Sequence, residues 1–168
     1  MLIRLITNIN KWDESKVVHR PNAYICGDAI SDLRTTDNKL SVWKAVSQED
    51  IDDAIVALAL NRDSVSKVSY FFLQEEELAK LEIEISDEEA GKALGLKESI
   101  LNKHRDLIEL DYWHIGFLAE YMMRLAKDEN NRKVCTRAEV MALLNKYKEE
   151  HKIEPENMSE KLKDNLKW

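Results

Sequence analysis

Residues 40–73 constrain the fold more than any other part of the chain. Leu40-Ser41-Val42-Trp43-Lys44-Ala45-Val46 alternates like a strand with one buried face. Ser47 then stands three residues before Asp50, the spacing of a capping box in which each side chain satisfies an exposed backbone N–H of the other. Ile51, Ala54, Ile55 and Leu58 follow as one apolar helical stripe, and Asn61-Arg62-Asp63-Ser64 stops it. Val65 to Leu73, with Tyr70-Phe71-Phe72 inside it, is apolar and aromatic enough for a buried strand. Strand, helix and strand in this order predict a βαβ unit over 40–73, its strands parallel and its crossover right-handed.

The flanking chain fills in an α+β unit: a small mixed sheet containing that βαβ unit, with a helical C-terminal half. Leu2 to Thr7 is short, apolar and β-branched, which predicts a first strand; Ala23 to Cys26 reads as another, stopped by Gly27. Glu82-Ile83-Glu84-Ile85 alternates like an exposed edge strand after a short helix or sheet extension over 74–81. Ser86 with Glu89 predicts a capped helix ending near Gly95. From Glu98 to Lys127 apolar residues keep a helical period, with a break expected near Asp111 or Gly116. Thr136 with Glu139, and Asn157 with Glu160, predict two more helix starts. The 168 residues suit a single domain over 1–168, strand-rich over 1–86 and helical over 87–168. A chain this long buries roughly 70% of its unfolded surface and folds without a staple.

Charge narrows the function. The net charge is −7, and residues 74–89 alone carry eight acids and one lysine. Such a chain lacks the clustered positive charge that phosphate backbones require, so nucleic acid is not the expected partner. No apolar run approaches the ~20 residues of a membrane span, and the N-terminus lacks the apolar core of a secretory signal. Two distant cysteines, Cys26 and Cys135, fit a reducing compartment, so a cytoplasmic protein is expected. No HExxH, Cys/His cluster, GxGxxG, P-loop or GxSxG elbow occurs, which leaves no expected metal or cofactor and no complete catalytic motif.

Two readings remain. In the first, the protein binds another protein with a basic surface, as an inhibitor, immunity-type or regulatory subunit, through an acidic face containing Glu75, Glu76, Glu77, Glu82 and Glu84. In the second it is a small enzyme or ligand-binding domain for a phosphate-bearing compound. Six consecutive polar residues, Arg34 to Lys39, precede a strand. Arg34, joined by Arg20, would take the phosphate, and Thr35, Thr36, Asp37 and Asn38 would orient it. Turn chemistry is the competing explanation, since Asp and Asn bond their own backbone and accept left-handed geometry. His104, on the apolar face of the helix expected over 98–127, and Asp37 are the candidates for acid–base work.

Overall fold

The computed structural model describes residues 1–13, 25–86 and 96–168. Its elements, in chain order, are β1 (Leu2–Ile6), β2 (Leu40–Lys44), α1 (Gln48–Leu60), β3 (Val68–Leu73), α2 (Glu75–Lys80), β4 (Glu84–Ile85), α3 (Glu98–Leu101), β5 (His104–Ile108), α4 (Tyr112–Ala126), β6 (Arg132–Cys135), α5 (Arg137–Glu149) and α6 (Glu160–Leu166). Two 3-10 segments, Ile9–Trp12 and Gly27–Leu33, lie between β1 and β2.

The fold is α+β, and the strands form one sheet in the order β4-β5-β2-β1-β3-β6. The expected β-α-β unit is present as β2-α1-β3. Its strands run in the same direction, but β1 inserts between them and pairs antiparallel with both. Every paired neighbour in the sheet is therefore antiparallel, not mixed.

Period-two alternation gives β1 two buried faces. Ile3, Trp43, Val68 and Tyr70 look toward α1, α5 and α6 in one core. Leu2, Val42, Phe71 and Leu73 look toward α2, α4 and the 3-10 segments in the other. Helix α1 lies between the sheet and α5, which is why Val56, Ala57 and Leu60 are buried as well as the predicted stripe of Ile51, Ala54 and Ile55.

The Ser47–Asp50 and Thr136–Glu139 capping boxes form as read. Three expectations change. The helical period over 98–127 is interrupted by β5, because Leu107 is needed opposite Leu40 in the sheet, and the helix resumes only after its Asp111 cap. Cys26 precedes a 3-10 turn instead of ending a strand, whereas Ala23 and Tyr24 lie outside the described residues. Ser159, not Asn157, caps the last helix. The helix predicted from Ser86 and Glu89 lies outside the described residues apart from Ser86.

A buried polar knot ties β5 to α1 and α5. The Lys103 ammonium sits 2.5 Å from Asp50 and 2.7 Å from Asp53. Asp53 also accepts from the Tyr147 hydroxyl at 2.6 Å, and Asp50 accepts from the backbone N–H groups of Val46 and Ser47. Burial alone would raise the Asp50 carboxyl. Lys103 and the two backbone donors outweigh it and hold the carboxyl at about 2.

Removing one partner of such a knot leaves an uncompensated buried charge. Lys103→Met should lower unfolding free energy by about 3 kcal/mol in urea titrations. The Asp50 carboxyl is depressed in the folded state, so its stabilisation is full above the unfolded value of 3.8 and is lost as pH falls toward about 2. Acid titration of Asp50→Asn should show a shallower stability loss across that window.

Candidate functional site

The polar stretch 34–39 is a two-residue hairpin turn. Thr36 and Lys39 exchange backbone hydrogen bonds at 3.3 and 3.0 Å. Between them Asp37 (φ 53) and Asn38 (φ 57) both take left-handed geometry, the pattern that matches the twist of the flanking strands. The Asn38 carbonyl also accepts from the Leu110 N–H at 2.9 Å, which fixes the turn against the start of α4. Turn chemistry therefore explains Asp37 and Asn38. Arg34 and Thr36 are exposed and line a shallow hollow together with Lys39 and Arg4; Thr35 is half-buried. Arg20 lies outside the described residues.

His104 is on a strand, not a helix. It pairs with Trp43 across β2–β5, with the two rings edge to face at 5.1 Å. Burial pulls the imidazole below its ordinary value, and Arg4 and Arg105 add to the effect against Asp106, so the ring is neutral at pH 7. Trp43 lies toward the far end of β2 from the turn holding Asp37, so the fold does not bring the two acid–base candidates together.

The acidic residues divide. Glu75 is bonded to the N-terminal ammonium at 3.0 Å and Glu77 to Lys80 at 2.5 Å, while Glu76 is exposed. Glu82 and Glu84 are exposed beside β4, the acidic edge of the sheet. Glu84 pairs with Ile108, the last residue of β5, so this edge leads directly into the start of α4.

There the structure shows a feature that the stripe of Ile115, Leu118, Ala119 and Met122 leaves out. Tyr112, Trp113 and Phe117 are 86%, 69% and 45% exposed. Trp113 and Phe117 are four residues apart and share the outer face of α4 with Gly116 and Glu120. The Tyr112 and Trp113 rings meet at 6.2 Å. From Asp106 to Met123 the chain carries four acids and no lysine or arginine. The aromatic face is thus set among Glu109, Asp111 and Glu120, next to Glu82 and Glu84. Asp111 is also the helix cap. It accepts from the His114 N–H at 2.9 Å, which holds its carboxyl below the usual range. The signal was present in the sequence, in that three aromatics fall off the apolar stripe of an amphipathic helix.

If Asp37-Asn38 serves only the turn, Asn38→Gly should leave the melting temperature close to wild type. Asn38→Val should cost about 1–2 kcal/mol, because a β-branched side chain resists left-handed geometry. Among the described residues no three His, Cys, Asp or Glu side chains converge in the manner of a metal centre. Comparison with protein-family models, with curated proteins and with solved structures gives no match for this chain.

Proposed function

We propose that the protein works by binding another protein, as an inhibitor, immunity-type or regulatory subunit, through the acidic aromatic surface at the start of α4. The observation that supports this reading is the exposure of Tyr112, Trp113 and Phe117 at the start of α4, in a stretch from Asp106 to Met123 with four acids and no lysine or arginine. Tyrosine and tryptophan dominate binding hot spots because they bury large area at small entropic cost. Left in water, three large aromatic side chains on one helix lose the free energy that burial would return, about 25 cal/mol per Å². Glu82, Glu84, Glu109, Asp111 and Glu120 form the polar rim, so the partner carries a basic surface. Glu75 and Glu77 are partly neutralised by their own neighbours and contribute less than the edge residues. Gly116 leaves the helix surface open between Trp113 and Phe117, with nothing within 4 Å of where a β-carbon would stand, so a partner side chain can approach the backbone there.

Two variants test the reading. Trp113→Asp should abolish capture of a stoichiometric partner from cell extract and leave the melting temperature near wild type, since the ring is mostly exposed. Glu82→Lys with Glu84→Lys should slow association about tenfold and flatten its dependence on salt. Undiminished capture by Trp113→Asp would remove this surface from the function.

A further inference from the structure

The ladder between β1 and β2 pairs Leu2 with Lys44 and Ile3 with Trp43, and the Ala45 N–H donates to the Met1 carbonyl at one end. Beyond it the Arg4 guanidinium stands in for the missing strand bonds. Its Nη1 donates to the Ser41 carbonyl at 2.7 Å, and its Nη2 donates to the Asp32 carbonyl. A cleft of about 420 Å³ opens at this split, lined by residues of α1 and by Ser31 and Asp32 of the second 3-10 segment. Arg4, Arg62, His104 and Asn61 line its polar part, and Trp43 and Leu101 its apolar part. The hollow holding Arg34 and Lys39 adjoins it through Arg4 and Ser41.

The hydrogen-bond partners of the two arginines here are neutral oxygens: the Ser41 and Asp32 carbonyls for Arg4, and the Ser66 hydroxyl at 2.8 Å for Arg62. Lys103, Lys152, Lys161 and Lys163 each have a carboxylate partner. Among the described residues neither Arg4 nor Arg62 has a carboxylate within 4.0 Å. Asp32, whose charge acts on Arg4, spends its carboxylate on Thr7 and Trp12, and Asp106 lines the adjoining hollow beside Arg4. Arg4 is costly to keep charged where it is, and burial pushes it down to about 10. Arg4 Nε and His104 Nδ1 are buried without a hydrogen-bond partner among the described residues. Native interiors rarely leave such groups unpaired.

We propose that this cleft binds a small organic phosphate, with the anionic group taken by Arg4 and Arg62 and the apolar body laid against Trp43 and Leu101. The site is separate from the aromatic surface of α4, so the protein carries a ligand site as well as a docking surface. Two guanidinium groups match the oxygens of a phosphate, and a neutral His104 beside Arg4 adds a further polar contact. The cleft volume falls within the range of small-molecule sites and exceeds what a bare phosphate fills, which is why the ligand has an organic part. Asn61 supplies a neutral polar contact that fixes orientation.

The test uses isotope-labelled full-length protein titrated with inorganic phosphate and with phenyl phosphate, followed by amide and imidazole resonances. Saturable shifts should concentrate at Ser41, Asn61, Arg62 and His104. Phenyl phosphate should bind about tenfold or more tightly than inorganic phosphate, through the apolar wall. Arg4 is structural, so Arg62→Met is the decisive variant. It should weaken phenyl phosphate about tenfold or more at a melting temperature near wild type. Trp113→Asp should bind the probe as the wild type does, which separates this site from the docking surface. The proposal is overturned if ~10 mM of either probe gives no saturable shift, if sodium chloride at equal ionic strength reproduces the shifts, or if Arg62→Met binds phenyl phosphate unchanged.

Discussion

The sheet depends on how the chain closes the opening between β1 and β2. A strand whose carbonyls lose their partners must satisfy them elsewhere. Here one arginine does so for two segments at once, bonding Ser41 in β2 and Asp32 at the end of the second 3-10 segment. Asp32 in turn fastens the end of β1 through Thr7 and the first 3-10 segment through the Trp12 indole at 3.0 Å. Arg4 and Asp32 thus hold the centre of the sheet to the layer beneath it. The arrangement leaves a cleft where a regular ladder would leave none, and it places a charged group at the base of that cleft.

The second polar device, Lys103 with Asp50, Asp53 and Tyr147, works on the opposite face. Its parts come from α1, from the turn before β5 and from α5, which are far apart in the chain. Paired buried charges seldom add much net stability over an apolar core, but each member becomes costly to remove singly. A knot of this kind favours one packing of the helical layer over others that the apolar residues alone would permit. The acidic edge and the aromatic face of α4 take no part in either device.

Much of the architecture was legible locally. Capping boxes at Ser47–Asp50 and Thr136–Glu139 are written in four consecutive residues, and hydrogen bonds across so short a span form wherever the segment is placed. The turn at Asp37-Asn38 is equally local, since these two residue types accept left-handed geometry at little cost. Residues 104–108 were not legible in the same way. HRDLI fits a helical period as well as a strand, and only the empty place beside β2 decides between them. The residues of the proposed docking surface were partly visible: Glu82 and Glu84 from charge and alternation, and Trp113 and Phe117 only once the buried face of α4 was known.

The sequence by itself determined the α+β class, the β2-α1-β3 order, most helix starts and the acidic character, because each rests on nearest neighbours or on composition. Tertiary structure alone decided that β1 lies between β2 and β3, that Arg4 fills a gap in the sheet, and that Arg62 and His104 line one cleft. Those outcomes depend on interactions between residues up to 100 positions apart, such as the His104 ring against Trp43 and the charge of Arg4 acting on His104. The spacing along a chain carries no record of such contacts, since they are set by which packing buries the most apolar surface while leaving the fewest polar groups unpaired.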